Sequence, residues 1–104
     1  MKKFNVTQKH IDAGEYQDPF SCPIALSLKE QGYQCTHVGD DVTTAGTCND
    51  GRTDNREDYQ HDYLVSKWIA NYDNQEKVYP FEFTLDSINK VMYMSKSQLN
   101  RGVK

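Results

Sequence analysis

The sequence predicts a small α+β protein in which a mostly antiparallel sheet is packed by two helices. Two stretches, about 23–31 and 62–72, carry apolar residues at helical spacing. The residues near 33–53 and 78–85 alternate with the period of two that is typical of strands. Turn residues within the first of these segments predict a hairpin or meander, and the second segment adds a further strand.

The first helix is delimited at both ends. Pro23 fits the first helical position, where its missing N–H has no consequence, and Gly32 fits the left-handed residue just past the end. Ile24, Ala25 and Leu28 share one face of this helix. We therefore expect it to lie in the core, packed under the sheet.

The chain before this helix predicts a strand followed by a helical turn. Residues 3–6 alternate, and Thr7 is a suitable N-cap for a turn over residues 8–13. Residues 15–20 contain Asp and Pro and predict a loop that leads to Pro23.

The middle of the chain predicts the hairpin. Residues 34–38 and 42–48 are rich in β-branched side chains and are separated by Gly39-Asp40-Asp41. Asp50-Gly51 predicts a second turn, after which a strand would return. Residues 53–60 are too polar for regular buried structure.

The second helix has a single apolar stripe, formed by Leu64, Val65, Trp68, Ile69 and Tyr72. Because Pro80 has no N–H to donate, the start of the strand near 78–85 must lie at a sheet edge or at a strand terminus. Residues 86–104 are expected to be an extension or a partly flexible tail, in which Val91–Met94 forms an added strand or a contact surface.

Length and composition favour one folded domain over residues 1–104. Twelve aromatic residues in 104 offset a hydrophobic share of only 37%. The sequence holds no apolar run of the roughly 18 residues that a membrane span needs, and Met1-Lys2-Lys3 does not lead into a signal-peptide core. We expect a cytoplasmic protein that does not bind membranes.

The charge of the chain is unevenly distributed. The net charge is −3, but residues 39–62 alone contain seven acidic residues and two arginines. Binding to a nucleic-acid backbone requires clustered Lys and Arg, so this distribution argues against nucleic acid as the direct partner.

Several motifs follow one another along the chain: Val6-Thr7, His10-Ile11, Gly14, Cys22 to Leu28, Asp50-Gly51, Trp68-Ile69, Tyr72-Asp73 and Val78 to Leu85. Over roughly residues 4–85 this arrangement resembles a family of small uncharacterised bacteriophage and actinobacterial proteins. Its most specific part is the Cys-Pro-hydrophobic-Ala-Leu helix combined with the late Pro-Phe-x-Phe strand. The chain departs from the family pattern in its longer acidic segment 49–62, in its extension after Leu85, and in having Pro19 where some members have a second cysteine. The resemblance implies a phage or mobile-element origin and a small α+β fold, and it implies no activity.

The cysteines give weak support for chemistry. Cys22 lies at a helix N-terminus, where a thiol pKa can fall, but no histidine can be placed beside it as a base, so we expect a buried packing role. A metal site would have to be assembled without a ligand-spacing motif from Cys22, Cys35, Cys48, His10 and His37. Reduced thiols are the expectation in the cytosol, although Cys35 and Cys48 could face each other across the hairpin.

The remaining polar residues also favour a non-enzymatic protein. The acid pairs Asp40-Asp41 and Glu57-Asp58 could bind Mg²⁺, but adjacent loop acids are usually solvated. The sequence contains no Gly-rich phosphate loop and no nucleophile elbow. We expect no cofactor and no metal.

The favoured hypothesis is a phage protein that binds a host protein complex, as an inhibitor of bacterial immunity in the manner of anti-CRISPR proteins. Its acidic segment would occupy a basic nucleic-acid groove, with Tyr59 and Tyr63 as anchors. The candidate partner-binding residues are Asp40, Asp41, Asp50, Asp54, Glu57, Asp58, Tyr59, Asp62 and Tyr63. An equally weighted reading is that this segment is only a solvated loop.

Two alternatives remain open. The first is a self-associating scaffold module that pairs through the edge near Pro80 and through Val91–Met94. The second is a small metal- or thiol-dependent enzyme or sensor that uses Cys22.

Overall fold

In residues 2–49 and 52–97, which are those the computed structural model describes, the chain forms six strands and three helices. The elements are β1 (Lys2–Val6), α1 (Gln8–Ala13), α2 (Pro23–Glu30), β2 (Cys35–Val38), β3 (Val42–Asn49), β4 (Arg52–His61), α3 (Tyr63–Asp73), β5 (Phe81–Asp86) and β6 (Val91–Ser97). The strands form a single sheet in the order β1-β5-β6-β4-β3-β2. The α+β class predicted from the sequence is confirmed.

The sheet is mixed, so the prediction of a mostly antiparallel sheet is wrong. β4 and β6 run parallel, with Gln60 opposite Val91 and His61 opposite Met92. After β4 the chain crosses through α3, forms β5 and then places β6 between β5 and β4. Alternating side chains identify a segment as a strand, but they do not indicate that β6 lies between β5 and β4 in the sheet.

The helix count also differs from the prediction, because residues 8–13 form a complete short helix. Thr7 caps α1 through a reciprocal pair of hydrogen bonds: its hydroxyl accepts from the His10 amide at 3.4 Å, and its own amide donates to His10 Nδ1 at 3.0 Å. The opposite ring nitrogen of His10 lies 3.2 Å from Glu30 on α2. A buried histidine thus joins the two helices.

Helix α2, the first of the two helices predicted from the sequence, matches its prediction closely. Cys22 is its N-cap, Pro23 begins it, and Gly32 follows it with a left-handed φ of 103°. The Tyr33 amide donates back to the Leu28 carbonyl at 3.1 Å.

The predicted returning strand begins at Arg52, but it continues through the polar stretch to His61, contrary to expectation. β4 pairs with β3 from Gln60, opposite Val42, to Arg52, opposite Asn49. Its polar side chains are tolerated because few of them are buried. Within residues 55–61, only Tyr59 and His61 are buried. The predicted turn Asp50-Gly51 lies outside the described residues.

The third helix buries Val65, Trp68, Ile69 and Tyr72 as predicted, but Leu64 remains 47% exposed and does not belong to the buried stripe. Pro80 directly precedes β5, which agrees with its predicted position at a strand terminus.

The segment Val91–Met94 lies inside the sheet as part of β6. β6 pairs with β5 along Val91–Ser97 and with β4 at its beginning, and Met92 is fully buried. β5 is paired on both sides, and β6 is paired on both sides at Val91 and Met92, so these parts are not edges through which two copies could pair.

The core lies between the helices and one face of the sheet. Register places Phe4 opposite Phe83 and Leu85 opposite Met92, so these side chains share a face. They form one buried cluster with Ile24, Ala25, Leu28, Trp68 and Ile69, among others. The other face, called the open face below, carries His37, Thr44, Asp58 and Gln60.

A disulfide joins Cys35 in β2 to Cys48 in β3, with the two Cα atoms 5.3 Å apart. The expectation of three reduced thiols is therefore wrong for this pair, and the facing of Cys35 and Cys48 across the hairpin is confirmed. Cys22 is free and buried.

Candidate functional site

The acidic segment of residues 40–62 starts in the turn between β2 and β3. The backbone of this turn is fixed, because the Asp41 carbonyl accepts from the His61 amide at 2.7 Å and the Asp40 carbonyl accepts from the Ser66 hydroxyl at 3.2 Å. The side chains of Asp40 and Asp41 are exposed. Within residues 2–49 and 52–97 neither carboxylate has a hydrogen-bond or ion-pair partner.

His61 holds this turn against the sheet from inside. It is 7% exposed, its Nδ1 lies 3.2 Å from the Asp40 carbonyl, and its Nε2 lies 2.5 Å from the Thr43 hydroxyl. A carbonyl can only accept, so Nδ1 carries the proton and Nε2 accepts from Thr43. Burial lowers the pKa of His61, against the opposing influence of the Asp40 carbonyl and nearby carboxylates.

Glu57 is neutralised within the fold. Its carboxylate lies 2.7 Å from the Lys90 ammonium and accepts from the Tyr59 hydroxyl at 2.6 Å. The hydrogen bond from Lys90, followed by that from Tyr59, lowers the pKa of Glu57. Burial, together with Glu57, raises the pKa of Tyr59, which is only 6% exposed. Tyr59 is therefore part of the core, and its predicted role as an exposed anchor is wrong.

Other acids of the segment also have internal partners. Asp58 accepts from the Thr44 hydroxyl at 2.7 Å and lies 3.7 Å from Arg56 Nε on the exposed surface. Asp62 is the N-cap of α3, where it accepts from the Val65 amide at 2.9 Å. Asp62 was predicted to bind a partner, but its carboxylate has a structural role as this cap.

The remaining predicted residues divide into three cases. Tyr63 is 73% exposed, with the Lys67 ammonium 5.9 Å from its ring centroid, so it is available as an anchor. Asp54 lies in β4 opposite Thr47. Asp50 lies outside the described residues.

A cleft of about 430 Å³ adjoins the same turn. Its walls are residues 17–19 of the loop before α2 and residues 37–40 at the end of β2, and its floor includes Trp68, Ile69 and Tyr72 of α3. Buried Cys22 also contributes to its lining.

The floor of the cleft is rigid because its aromatic rings belong to the core. The Trp68 ring stacks on Tyr72 with centroids 5.6 Å apart and contacts Phe81 at 4.9 Å. Its indole N–H donates to the Tyr79 carbonyl at 2.9 Å, which fixes the ring orientation.

Three carboxylates from separate parts of the chain line this cleft: Asp18, Asp40 and Asp73. Asp18 accepts from the Phe20 amide and Asp73 accepts from the Gln17 amide, both at 2.9 Å. None of the three forms an ion pair within the described part of the chain, and the cleft lining contains no Lys or Arg. The lining of the cleft thus carries three acids, with His37 as a further titratable side chain.

Of these three acids, only Asp40 was predicted from the sequence as a binding residue. Asp18 is an ordinary loop residue in sequence, and Asp73 is the last residue of α3. One available signal was that α3 ends on an acid and has no basic residue in its last turn, which is opposite to the preference of the helix dipole.

Cys22 is poorly suited to reactive thiol chemistry. It is 6% exposed, its sulfur accepts from the Ala25 amide at 3.5 Å, and burial raises its pKa to about 11. Within the described residues, no group of three or more His, Cys, Asp or Glu side chains is placed to hold a metal ion. Over the same residues, no helix is long and apolar enough to cross a bilayer.

Comparison of this chain with protein-family models, with curated proteins and with solved structures found no match.

Proposed function

We propose that this chain is a small non-enzymatic binding protein of phage or mobile-element origin that docks on a basic surface of a host protein complex. The observation that carries the proposal is the pair of exposed carboxylates, Asp40 and Asp41, held on a fixed turn without a partner in the described chain. Because the backbone of this turn is fixed, it loses little conformational freedom on binding, and charge complementarity raises both specificity and association rate.

The docking surface that we propose extends from this turn onto the neighbouring open face. The Gln60 side chain donates to the Asp41 carbonyl at 3.2 Å, and Asp58 lies on the same face as Gln60. Exposed Tyr63 at the start of α3 supplies an aromatic anchor. This surface excludes Tyr59 and Asp62, because their side chains are used in the core and in a helix cap.

The proposed partner is a nucleic-acid-binding groove of a bacterial immunity complex, which the acidic surface would occupy in place of nucleic acid. The resemblance of residues 4–85 to phage proteins supports this setting. The acidic segment supplies the charge that such a groove recognises, and its attraction would weaken as salt rises.

Affinity capture from phage-infected host cells tests this proposal. The tagged wild-type chain is compared with the double variant Asp41→Lys/Asp58→Lys and with Glu76→Lys, which reverses an exposed acid outside the surface. We expect wild type and Glu76→Lys to retain the same nucleic-acid-binding proteins, and the double variant to lose them. A plaque assay on immune and non-immune hosts then measures whether wild type, but not the double variant, restores infection of the immune host.

Equal capture by all three chains, unaffected by salt, would contradict docking through this surface. Capture that depends on the two acids without restored infection would limit the proposal to binding and remove the inhibitor role.

A second candidate function is self-association, favoured by one particular edge. On the side of β4 opposite β3, no described strand pairs with residues 52–59, because β6 meets β4 only at Gln60 and His61. An unpaired edge can add a strand from a second copy. Sedimentation of the chain over a hundredfold concentration range separates the two functions, since a mass that stays at 12.0 kDa is inconsistent with self-association.

A further inference from the structure

We propose that the Cys35–Cys48 disulfide is a reducible lock that holds the end of the β3–β4 hairpin against the sheet. The hairpin end consists of residues 48–49 of β3 and residues 52–54 of β4, which lie outside the proposed docking surface. Reduction of the bond releases this end as a unit and leaves the rest of the fold in place.

The hairpin end extends past both neighbouring strands. The pairing of β2 with β3 stops at Cys35, opposite Gly46, and the pairing of β6 with β4 stops in this direction at Gln60. Beyond these points the described strands continue as a two-stranded ribbon, in which Cys48 lies opposite Thr53. An isolated two-stranded ribbon is only marginally stable in water. The hairpin end therefore depends on a further link to the sheet.

A β-bulge lies at the base of the hairpin end. Between two regular pairs of β3 and β4, residues 55–56 stand opposite Gly46 alone. Asn55 has a left-handed φ of 52°, a conformation that asparagine adopts more readily than most residues. Because a bulge bends the strand and interrupts the hydrogen-bond ladder, the ribbon can pivot at this point.

The disulfide crosses this bulge. Cys35 lies opposite Gly46, and Cys48 lies two positions further along β3, so both cysteine side chains are on the same face of the sheet. The bond therefore ties the hairpin end to β2. Strand β2 has its own anchors, since it pairs with β3 and the Val38 amide donates to the Pro19 carbonyl at 2.9 Å. Loss of the disulfide leaves β2 anchored and removes its covalent link to the hairpin end.

The accessible sulfur of the bond is that of Cys48. Cys48 is exposed and Cys35 is half-buried, whereas the free thiol of Cys22 belongs to a residue that is only 6% exposed. Because Cys22 is buried, the attacking thiol has to come from another molecule. A dithiol is the chemical class of reductant that we propose.

The exchange proceeds in two steps. A thiolate of the dithiol attacks Cys48 Sγ and forms a mixed disulfide, while Cys35 Sγ leaves with the bonding electron pair and takes up a proton from water. The second thiol of the reductant then closes its own disulfide and releases Cys48 as a thiol. The dithiol supplies both electrons, and the protein gains two thiols.

The two redox states differ at the hairpin end. In an oxidising environment this end is clamped, and where dithiols are abundant, as in the cytosol, it is released. The turn that carries Asp41 keeps its position in both states, because the His61 amide and the Ser66 hydroxyl hold its backbone.

NMR relaxation of the ¹⁵N-labelled chain before and after reduction with dithiothreitol tests the inference. In the oxidised chain the amides of Cys48, Asn49 and Thr53 should have order parameters of about 0.85, as in rigid backbone, and in the reduced chain the values should fall below about 0.6. The amides of Asp41 in the turn and Phe83 in β5 are the controls and should not change. Circular dichroism checks that the reduced chain is folded.

Maleimide labelling of the native chain, read out by mass, measures the reduction itself. The chain should take up no label before treatment with dithiothreitol and two labels after it, since Cys35 and Cys48 are then thiols and Cys22 stays buried.

Matched variants separate the lock from the pivot. Cys35→Ser/Cys48→Ser should show the low order parameters with and without dithiothreitol, whereas Cys22→Ser keeps the disulfide and should respond as wild type does. Deletion of Asn55 removes the extra residue of the bulge and should keep the hairpin end ordered after reduction.

Order parameters at the hairpin end that are unchanged by complete reduction would overturn the inference. Unfolding of the whole chain on reduction would also overturn it, because the disulfide would then act on the fold as a whole. A native chain that takes up no label after treatment with dithiothreitol would show that the bond is not a reducible lock. Loss of order in the reduced Asn55 deletion variant would contradict the bulge as the pivot.

Discussion

The β3–β4 hairpin and the cleft are both acidic, but they use their acids differently. In the hairpin, Glu57 is paired with Lys90 and Asp58 lies near Arg56, so much of the charge is neutralised within the chain. In the cleft, Asp18 and Asp73 accept only from neutral backbone amides. Glu57 and Asp58 therefore have cationic partners within the described chain, whereas Asp18 and Asp73 have none there.

The uncompensated charge of a region can therefore be judged only when its acidic residues are counted together with their partners. Lys90 lies 33 positions after Glu57 and reaches it only because β6 is inserted beside β4. Asp18 and Asp73 are 55 positions apart and line one cleft only because α3 packs beside the loop before α2. Both relationships belong to topology and not to local sequence.

The largest expected effect concerns the floor of the cleft. Trp68→Ala should lower the free energy of unfolding by about 3–5 kcal/mol, because it removes a buried ring that contacts Tyr72 and Phe81. Chemical denaturation followed by circular dichroism measures this change. Tyr63→Ala is the control from the same helix and should change stability by less than about 0.5 kcal/mol, since Tyr63 is 73% exposed. Similar losses in both variants would contradict a floor built on the core.

The next effect concerns the hairpin. The double variant Cys35→Ser/Cys48→Ser should lose roughly 2–4 kcal/mol, because the disulfide closes a loop with a sequence separation of 13. Reductant should destabilise wild type to the level of the variant and leave the variant unchanged. A wild-type unfolding transition that is insensitive to reductant would argue against this bond.

A smaller effect distinguishes an acid that caps a helix from an acid whose carboxylate has no partner in the described chain. Asp62→Ala should lose about 1 kcal/mol, because it removes the N-cap of α3. Asp41→Ala should remain within about 0.5 kcal/mol of wild type, since its exposed side chain has no partner in the described chain. Thermal and chemical denaturation of the two variants under one buffer provides the comparison. Equal losses would remove the distinction between the two acids.

The smallest effect depends on the protonation of His61, which contacts the turn between β2 and β3. The folded pKa of His61 lies below its ordinary value of 6.5, so the unfolded chain takes up the proton first as pH falls. The contribution of His61 to stability should therefore be present above pH 6.5 and decline as the pH falls from 6.5 towards the folded pKa. Denaturation midpoints from pH 8 to pH 5 should show this decline in wild type and in His37→Gln, and a reduced decline in His61→Asn. An unchanged profile in His61→Asn would contradict this assignment.

The local elements were largely predictable from the sequence. Pro23, Gly32 and Thr7 mark helix ends through backbone chemistry that acts within a few residues, and α1 and α2 begin and end where these signals indicate. The buried stripe of α3 was likewise predictable, apart from Leu64. These features do not depend on the rest of the fold.

The strand order and the cleft were not predictable in the same way. β4 appears too polar for a strand because its stability comes from pairing with β3 and not from burying its own side chains. Tyr59 appeared to be a surface residue for a similar reason, since its burial depends on the placement of neighbouring elements. The capping role of Asp62 was within reach of the sequence, because an N-cap acts locally at the helix start predicted near residue 62. Asp18 belongs to no motif, and Tyr72-Asp73 was noted only as part of the family resemblance.

Charge reversal on the turn between β2 and β3 tests whether Asp40 and Asp41 form the docking surface. We predict that a tagged Asp40→Lys/Asp41→Lys variant loses the nucleic-acid-binding proteins that wild type and Glu76→Lys retain from infected host cells. Equal capture by the three chains would contradict docking through this turn.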